Sequence, residues 1–116
     1  MKIPAQYLPL MPYLILKDSK GFHAFAQTVF HVTDQMVVPG ENGNIMHGEL
    51  KVFDAVIMSA QANANWTEKS AGMCVYVEGV DAINANTFAA GAKSLMSLEK
   101  NDYGYTAGFE DPFGNQ

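Results

Sequence analysis

The residues best suited to chemistry are His47 and Glu49, in the run Met46-His47-Gly48-Glu49-Leu50. Side chains alternate faces along an extended strand, so the imidazole and the carboxylate share one face, opposite Met46, Gly48 and Leu50. A carboxylate beside an imidazole orients it as a general base, able to take a proton from a bound molecule or return it. The same pattern also describes a half-exposed strand whose polar side chains face water. Cys74 is the single cysteine, so no disulfide can form within the chain. As a nucleophile its thiol would need a neighbouring base and an electropositive setting; inside the apolar run Met73 to Val77 it reads as a packed thiol. Trp66 stands in a polar stretch, where a large ring serves as a lid over a pocket, a dimer contact or packing against a sheet edge. His31, near the end of a helix, has a stabilising part to play with the helix dipole.

These residues need elements to hold them, and the chain is organised around Gly72 to Gly91. Met73, Val75 and Val77 alternate with Cys74 and Tyr76, as expected of a strand covered on both faces through Glu78. Gly79 breaks that strand, Asp81 is the first-turn or capping acid of a helix, and Ile83, Thr87, Phe88 and Ala90 recur at helical spacing before Gly91 stops it. An earlier unit echoes this one. Met11 to Leu16 is a strand, Lys17-Asp18-Ser19 a turn and cap, and Phe22, Phe25, Ala26 and Val29 the buried stripe of a helix reaching Phe30. Extended segments follow at Val32 to Val38, Asn44 to Val52 and Ala55 to Ala60, with turns at Pro39 to Asn44 and at Phe53-Asp54. The first half therefore reads β-α-β-β-β. Gln61 to Ser70 is a polar linker. The second half adds extended segments near Lys93 to Leu98 and Tyr105 to Glu110, joined through the Asp102-Tyr103-Gly104-Tyr105 loop, and a turn closing a hairpin at Asp111-Pro112-Phe113-Gly114. A second half as long as the first would run past Gln116, so its last strand is missing or only beginning.

At 116 residues, 48% of them hydrophobic, the chain suffices for one domain over residues 1–116 and not for two. Twelve acids against seven bases give a formal charge of -5 with no basic cluster, which argues against nucleic acid as a partner. No apolar run reaches the length of a membrane span, and Met1 to Leu10 lacks the features of a signal peptide. A cytoplasmic protein is expected, with no membrane partner.

Together, the PYLILKD strand with its helix, MHGEL, AVIMSA, YVEGVDA, AAGA and the DYG…DPFGN ending resemble the vicinal-oxygen-chelate superfamily, which includes glyoxalases and bleomycin-resistance proteins, and in particular its PhnB-like branch. The resemblance implies an α+β fold of two β-α-β-β-β modules, about 11–60 and about 72–116, whose curved sheets enclose a cavity, and a homodimer. It places metal ligands at four related positions. The first three fall on Met11, Met58 and Gly72 and the fourth about two residues past Gln116 (by the same carry-over). None of those three suits a hard or borderline divalent ion. With Leu14 and Leu16 facing the helix, Met11, Tyr13 and Ile15 face the cavity, opposite Gly72, Cys74 and Tyr76, and Met58 joins them by its family position. Thr106 stands where the branch often carries an Arg, which weakens any case for an anionic ligand. The resemblance thus implies a metal-independent protein without a cofactor, sequestering a largely apolar or aromatic molecule against Met11, Tyr13, Met58, Cys74 and Tyr76, with Trp66 beside them. The alternative is a glyoxalase- or isomerase-type enzyme using His47 and Glu49, with or without a divalent metal. A third possibility is an interaction module with a filled cavity.

Overall fold

A computed structural model describes residues 1–102 and 104–116; Tyr103, in the loop singled out above, lies outside the described residues. β1 (Tyr13–Leu16) puts Leu14 and Leu16 inward, 2% and 0% exposed, and leaves Tyr13 and Ile15 for the opposite face. The chain then turns into α1 (Ser19–Phe30). Asp18 caps it, its carboxylate accepting the Gly21 N–H at 2.9 Å, and His31 ends it in the left-handed conformation with its N–H donating to the Gln27 carbonyl. All four residues of the expected stripe, Phe22, Phe25, Ala26 and Val29, are buried.

β2 (Thr33–Pro39), a single 3₁₀ turn (Glu41–Gly43), β3 (Ile45–Val52) and β4 (Ala55–Gln61) complete the first module. Its sheet runs β1-β4-β3-β2, with β1 and β4 parallel and the other pairs antiparallel. α1 covers one face, its buried stripe packing with Leu14, Leu16 and Leu50. The other face is open, and we call it the front.

The second module contributes α2 (Val80–Ala89) and an antiparallel pair, β5 (Lys93–Asn101) and β6 (Gly104–Glu110). Gly79 and Gly91 bracket α2 at positive φ, as their positions predict. Ile83 packs toward the core and Thr87 is buried, whereas Phe88 is exposed instead of joining the stripe. The larger correction concerns Gly72 to Glu78. It is not a buried strand: Tyr76 is 88% exposed and Cys74 is an exposed thiol, not a packed one. A strand needs a ladder. Among the described residues the segment has one rung, in which the Gln116 N–H donates to the Ala71 carbonyl at 3.0 Å and the Met73 N–H to the Gln116 carbonyl at 2.7 Å.

The Asp111-Pro112-Phe113-Gly114 turn does more than close a hairpin. The Asp111 carboxylate accepts the N–H groups of Phe113 and Asn115 and the Asn115 side-chain amide, while Asn115 Oδ1 accepts the Ala71 N–H. This buried knot drives Phe113 between Phe22 and Phe25, edge-on to both with centroids 6.1 Å away. Phe109 meets Phe25 and Phe30 nearby, so the second module is fastened to the first through α1.

Candidate functional site

The front face of the first sheet holds a connected set of polar side chains centred on Glu49. Strand register sets Tyr13, Met58 and Glu49 in one row across β1, β4 and β3, and residues directly opposite one another share a face. The Glu49 side chain is only 2% exposed, against 26% for His47. His47 Nε2 lies 2.9 Å from Glu49 Oε2, and Tyr13 Oη lies 3.1 Å from His47 Nδ1. Two more donors come from outside β3. Gln35 Nε2 donates to Oε1 at 3.0 Å, and the Tyr7 hydroxyl, from the segment preceding β1, donates across both oxygens at 2.9 and 3.0 Å.

Gln35 reaches the carboxylate because the β2–β3 register slips between Asp34 and Met36, which pair with the consecutive residues Leu50 and Glu49. Gln35 is the extra residue of that bulge, and a bulge re-aims a side chain in this way. Burial pushes the Glu49 carboxyl up, but the hydrogen bonds from Gln35, His47 and Tyr7, reinforced by the imidazole's charge whenever His47 is protonated, outweigh it and hold the carboxyl below its ordinary value. The partner effect is seen at Tyr7, whose phenol is pushed up, first by its hydrogen bond to Glu49 and then by burial and the carboxylate's charge.

A second chain of polar groups lies directly behind. His23 of α1 is 3% exposed; its Nδ1 is 2.9 Å from Asp34 Oδ1 and its Nε2 2.9 Å from Ser59 Oγ. Ser59 pairs with Gly48 across β4 and β3, and a Cβ on Gly48 would come within 2.4 Å of His23 Nε2. The glycine of His47-Gly48-Glu49 is thus the space into which the imidazole from the helix fits. A serine, a histidine and an aspartate so joined resemble a nucleophilic triad in composition, but Ser59 is fully buried and no substrate reaches it.

The residues expected to line one cavity are not gathered into one. Met11, Cys74 and Tyr76 border a cleft of about 640 Å³ with Met73, Val56 and Ile57. Tyr13 and Trp66 border another of about 1030 Å³ with Ile15, Met46 and Ala60. Met58 lies in the front-face row beside Tyr13, and the two clefts flank that row along β1. Trp66 is 66% exposed at a turn fixed by Asn63, whose side chain accepts the Asn65 and Trp66 N–H groups. Nor does the front face read as a plain wet strand: Glu49 is buried, and His47 is tied to it and to Tyr13.

Sequence reasoning missed Tyr7, Gln35, His23, Asp34 and Ser59. Tyr7 sits in a lead-in without periodicity, and the bulge that aims Gln35 leaves no mark in the alternation of β2. The presence of glycine between two polar strand residues was the available clue to His23, since glycine inside a strand marks close approach of another group.

The residues present do not fit a hard divalent metal. Among the described residues no group of three or more His, Cys, Asp or Glu side chains is placed to hold one. The Glu49 oxygens are already met by Tyr7, Gln35 and His47. Among the described residues no helix is long and apolar enough to cross a membrane.

Solved structures share the whole architecture. TioX from Micromonospora sp. superposes with a TM-score of 0.75 at 20% identity, covering 91% of both chains. A glyoxalase/bleomycin resistance protein/dioxygenase family enzyme from Burkholderia phytofirmans gives 0.68 at 18% identity, covering 90% of this chain and 91% of its own. The chain has the glyoxalase/bleomycin-resistance fold. A PhnB protein from Bacillus cereus with this fold matches with a TM-score of 0.68 at 14% identity, over 92% of this chain and 94% of its own. No family model matches the sequence, and no curated protein does. At these identities the likeness is one of fold, and function must be argued from the site.

Proposed function

We infer that this protein binds a small, largely apolar or aromatic molecule at the front face of its first sheet and holds it without a metal and without transforming it. The observation that carries the reading is the chemistry at the centre of that face. Its one buried carboxylate is saturated by protein donors, while Met11, Met58 and Gly72 stand where the resemblance assigns metal ligands. The two clefts beside the row carry aromatic rings with free surface: Tyr13 is 49% exposed and Trp66 66% in one, and Tyr76 88% in the other. Such a surface, apolar with a few fixed polar groups, suits an aromatic ligand. The fold shared with a glyoxalase/bleomycin resistance protein/dioxygenase family enzyme agrees with a small-molecule site, without favouring sequestration over catalysis. The exposed apolar side chains of Leu95 and Met96 on β5 suit burial in a homodimer. A cytoplasmic setting agrees with the single, exposed, unpaired thiol.

One observation favours the enzyme reading instead: Tyr13, His47 and Glu49 form a continuous chain in which a proton leaving Tyr13 could pass to the imidazole, with the carboxylate behind it. A single experiment separates the two. Trp66 is the only tryptophan, and it borders one of the clefts. Its fluorescence is titrated with a panel of aromatic compounds before and after chelation of metals, and each compound is then recovered and analysed. The expected result is saturable quenching, insensitive to chelation, with the compound recovered unchanged. Chemical conversion of the compound would establish the enzyme, and loss of quenching on chelation would overturn metal independence.

A further inference from the structure

The hydrogen-bond chain on the front face has a direction, and that direction sets what kind of group a ligand must bring. Glu49 accepts from the Gln35 amide and the Tyr7 hydroxyl and is held in its charged form, so its Oε2 has no proton to give to His47. The Nε2 facing it at 2.9 Å must then be the protonated nitrogen. With the imidazole neutral and its proton on Nε2, Nδ1 offers only a lone pair, and the direction that follows holds for that neutral form. The Tyr13 hydroxyl, 3.1 Å from that lone pair, must donate to it. A phenol has one proton, and here it is committed inward.

We propose that, with His47 neutral, Tyr13 presents only acceptor lone pairs to the front face, and that the site selects aromatic molecules carrying a hydrogen-bond donor, an O–H or N–H, over those carrying only an acceptor. This deepens the binding reading above and rests on it. Tyr13 is the member of the chain able to meet a ligand: it is half-exposed at the edge of the larger cleft, while Glu49 is buried behind it. A carbonyl or ether oxygen placed against Tyr13 would face lone pair to lone pair. A hydroxyl there gains a hydrogen bond, and its loss is worth about a factor of ten in affinity.

The test uses the full chain and two probes of one shape, naphthol and its methyl ether. The ether is the more apolar of the two, so burial alone would favour it. Binding is followed by NMR of the methionine methyl groups, Met58 being next to Tyr13 in the row, and the His47 tautomer is read from long-range proton–nitrogen correlations. The expected result, at a pH where the imidazole is neutral, is a proton on Nε2 and none on Nδ1, naphthol bound about tenfold more tightly than its ether, and that preference abolished in Tyr13→Phe. Equal affinities in the native protein, a preference that survives Tyr13→Phe, or a proton on Nδ1 would each overturn the assignment and leave binding intact. If neither probe shifts any methionine methyl, the binding reading itself falls and the assignment falls with it.

Discussion

Gly48→Ala offers the sharpest test of how the two faces of β3 are built. The new Cβ would lie 2.4 Å from His23 Nε2, 2.6 Å from its Cε1 and 3.0 Å from Ile45 Cγ2. The imidazole cannot simply lean away, because it is buried and bonded at both nitrogens, to Asp34 and to Ser59. If the ring is expelled, two hydrogen bonds of about 1 kcal/mol each are lost. Asp34, with 39% of its side chain exposed, can rehydrate, whereas Ser59 is left buried and unpaired at a further cost of about 1 kcal/mol or more. If the ring stays, overpacking costs about 1–3 kcal/mol. Gly48→Ala should therefore destabilise by about 1–4 kcal/mol, a sizeable share of a domain's stability. The backbone is not the obstacle, since Gly48 is not among the glycines at positive φ. In a His23→Ala background the space is empty, and alanine gains about 0.5–1 kcal/mol over glycine inside a strand. There Gly48→Ala should cost nothing measurable after the contact with Ile45 is set against that gain. Urea unfolding of the native protein, both single variants and the double variant gives the coupling, provided the slopes agree. Equal costs for Gly48→Ala in the two backgrounds, to within about 0.5 kcal/mol, would refute the packing of His23 against Gly48.

Two further outcomes follow from the site and the module junction. The Glu49 carboxyl is held below its ordinary value, so the stability it contributes is present above the unfolded carboxyl's titration and is lost as pH falls through the lowered folded value. Gln35→Ala removes one of its donors and should move the Glu49 titration, followed by carboxyl NMR, to higher pH; an unmoved titration would show that the bulge does not aim Gln35 as described. Phe113→Ala should destabilise by about 3–5 kcal/mol, because the ring fills the space between Phe22 and Phe25 at the junction of the modules. A loss below about 1 kcal/mol in urea unfolding would mean that the junction is held elsewhere.

Most of the first module was legible in the sequence because its signals are local. The stripe of α1, the alternation of Leu14 and Leu16, the Asp18 cap and the shared face of His47 and Glu49 all depend on spacing within a single element. The second module was legible in order but not in environment. The apolar alternation from Met73 to Val77 announces a strand covered on both sides, yet such a strand requires a partner, and among the described residues it has one rung, with Gln116. That is why Cys74 and Tyr76 are exposed where their neighbours in sequence predict burial. The candidate site was half legible for a similar reason. Tyr13, His47 and Glu49 lie on regular strands, whereas Tyr7 comes from a segment without periodicity and Gln35 from a bulge, and neither placement is encoded by neighbours along the chain.

The bulge in β2 also joins the two polar chains. Asp34 and Gln35 are adjacent, and the irregular register sends the first to His23 behind the sheet and the second to Glu49 in front of it. In a regular strand neighbours also face opposite ways, but Gln35 would then have its own partner on β3; here it pairs with no residue, so its side-chain direction is fixed by what it and Asp34 hold. Gly48 makes the same connection on β3, admitting His23 from behind while His47 and Glu49 point forward. One of the donors to Glu49 therefore sits next along the strand to the residue that holds the imidazole of the helix on the far side. His23 and Tyr13 are thus joined by a continuous path through Asp34, Gln35, Glu49 and His47, each step a hydrogen bond or an adjacent residue of the same strand.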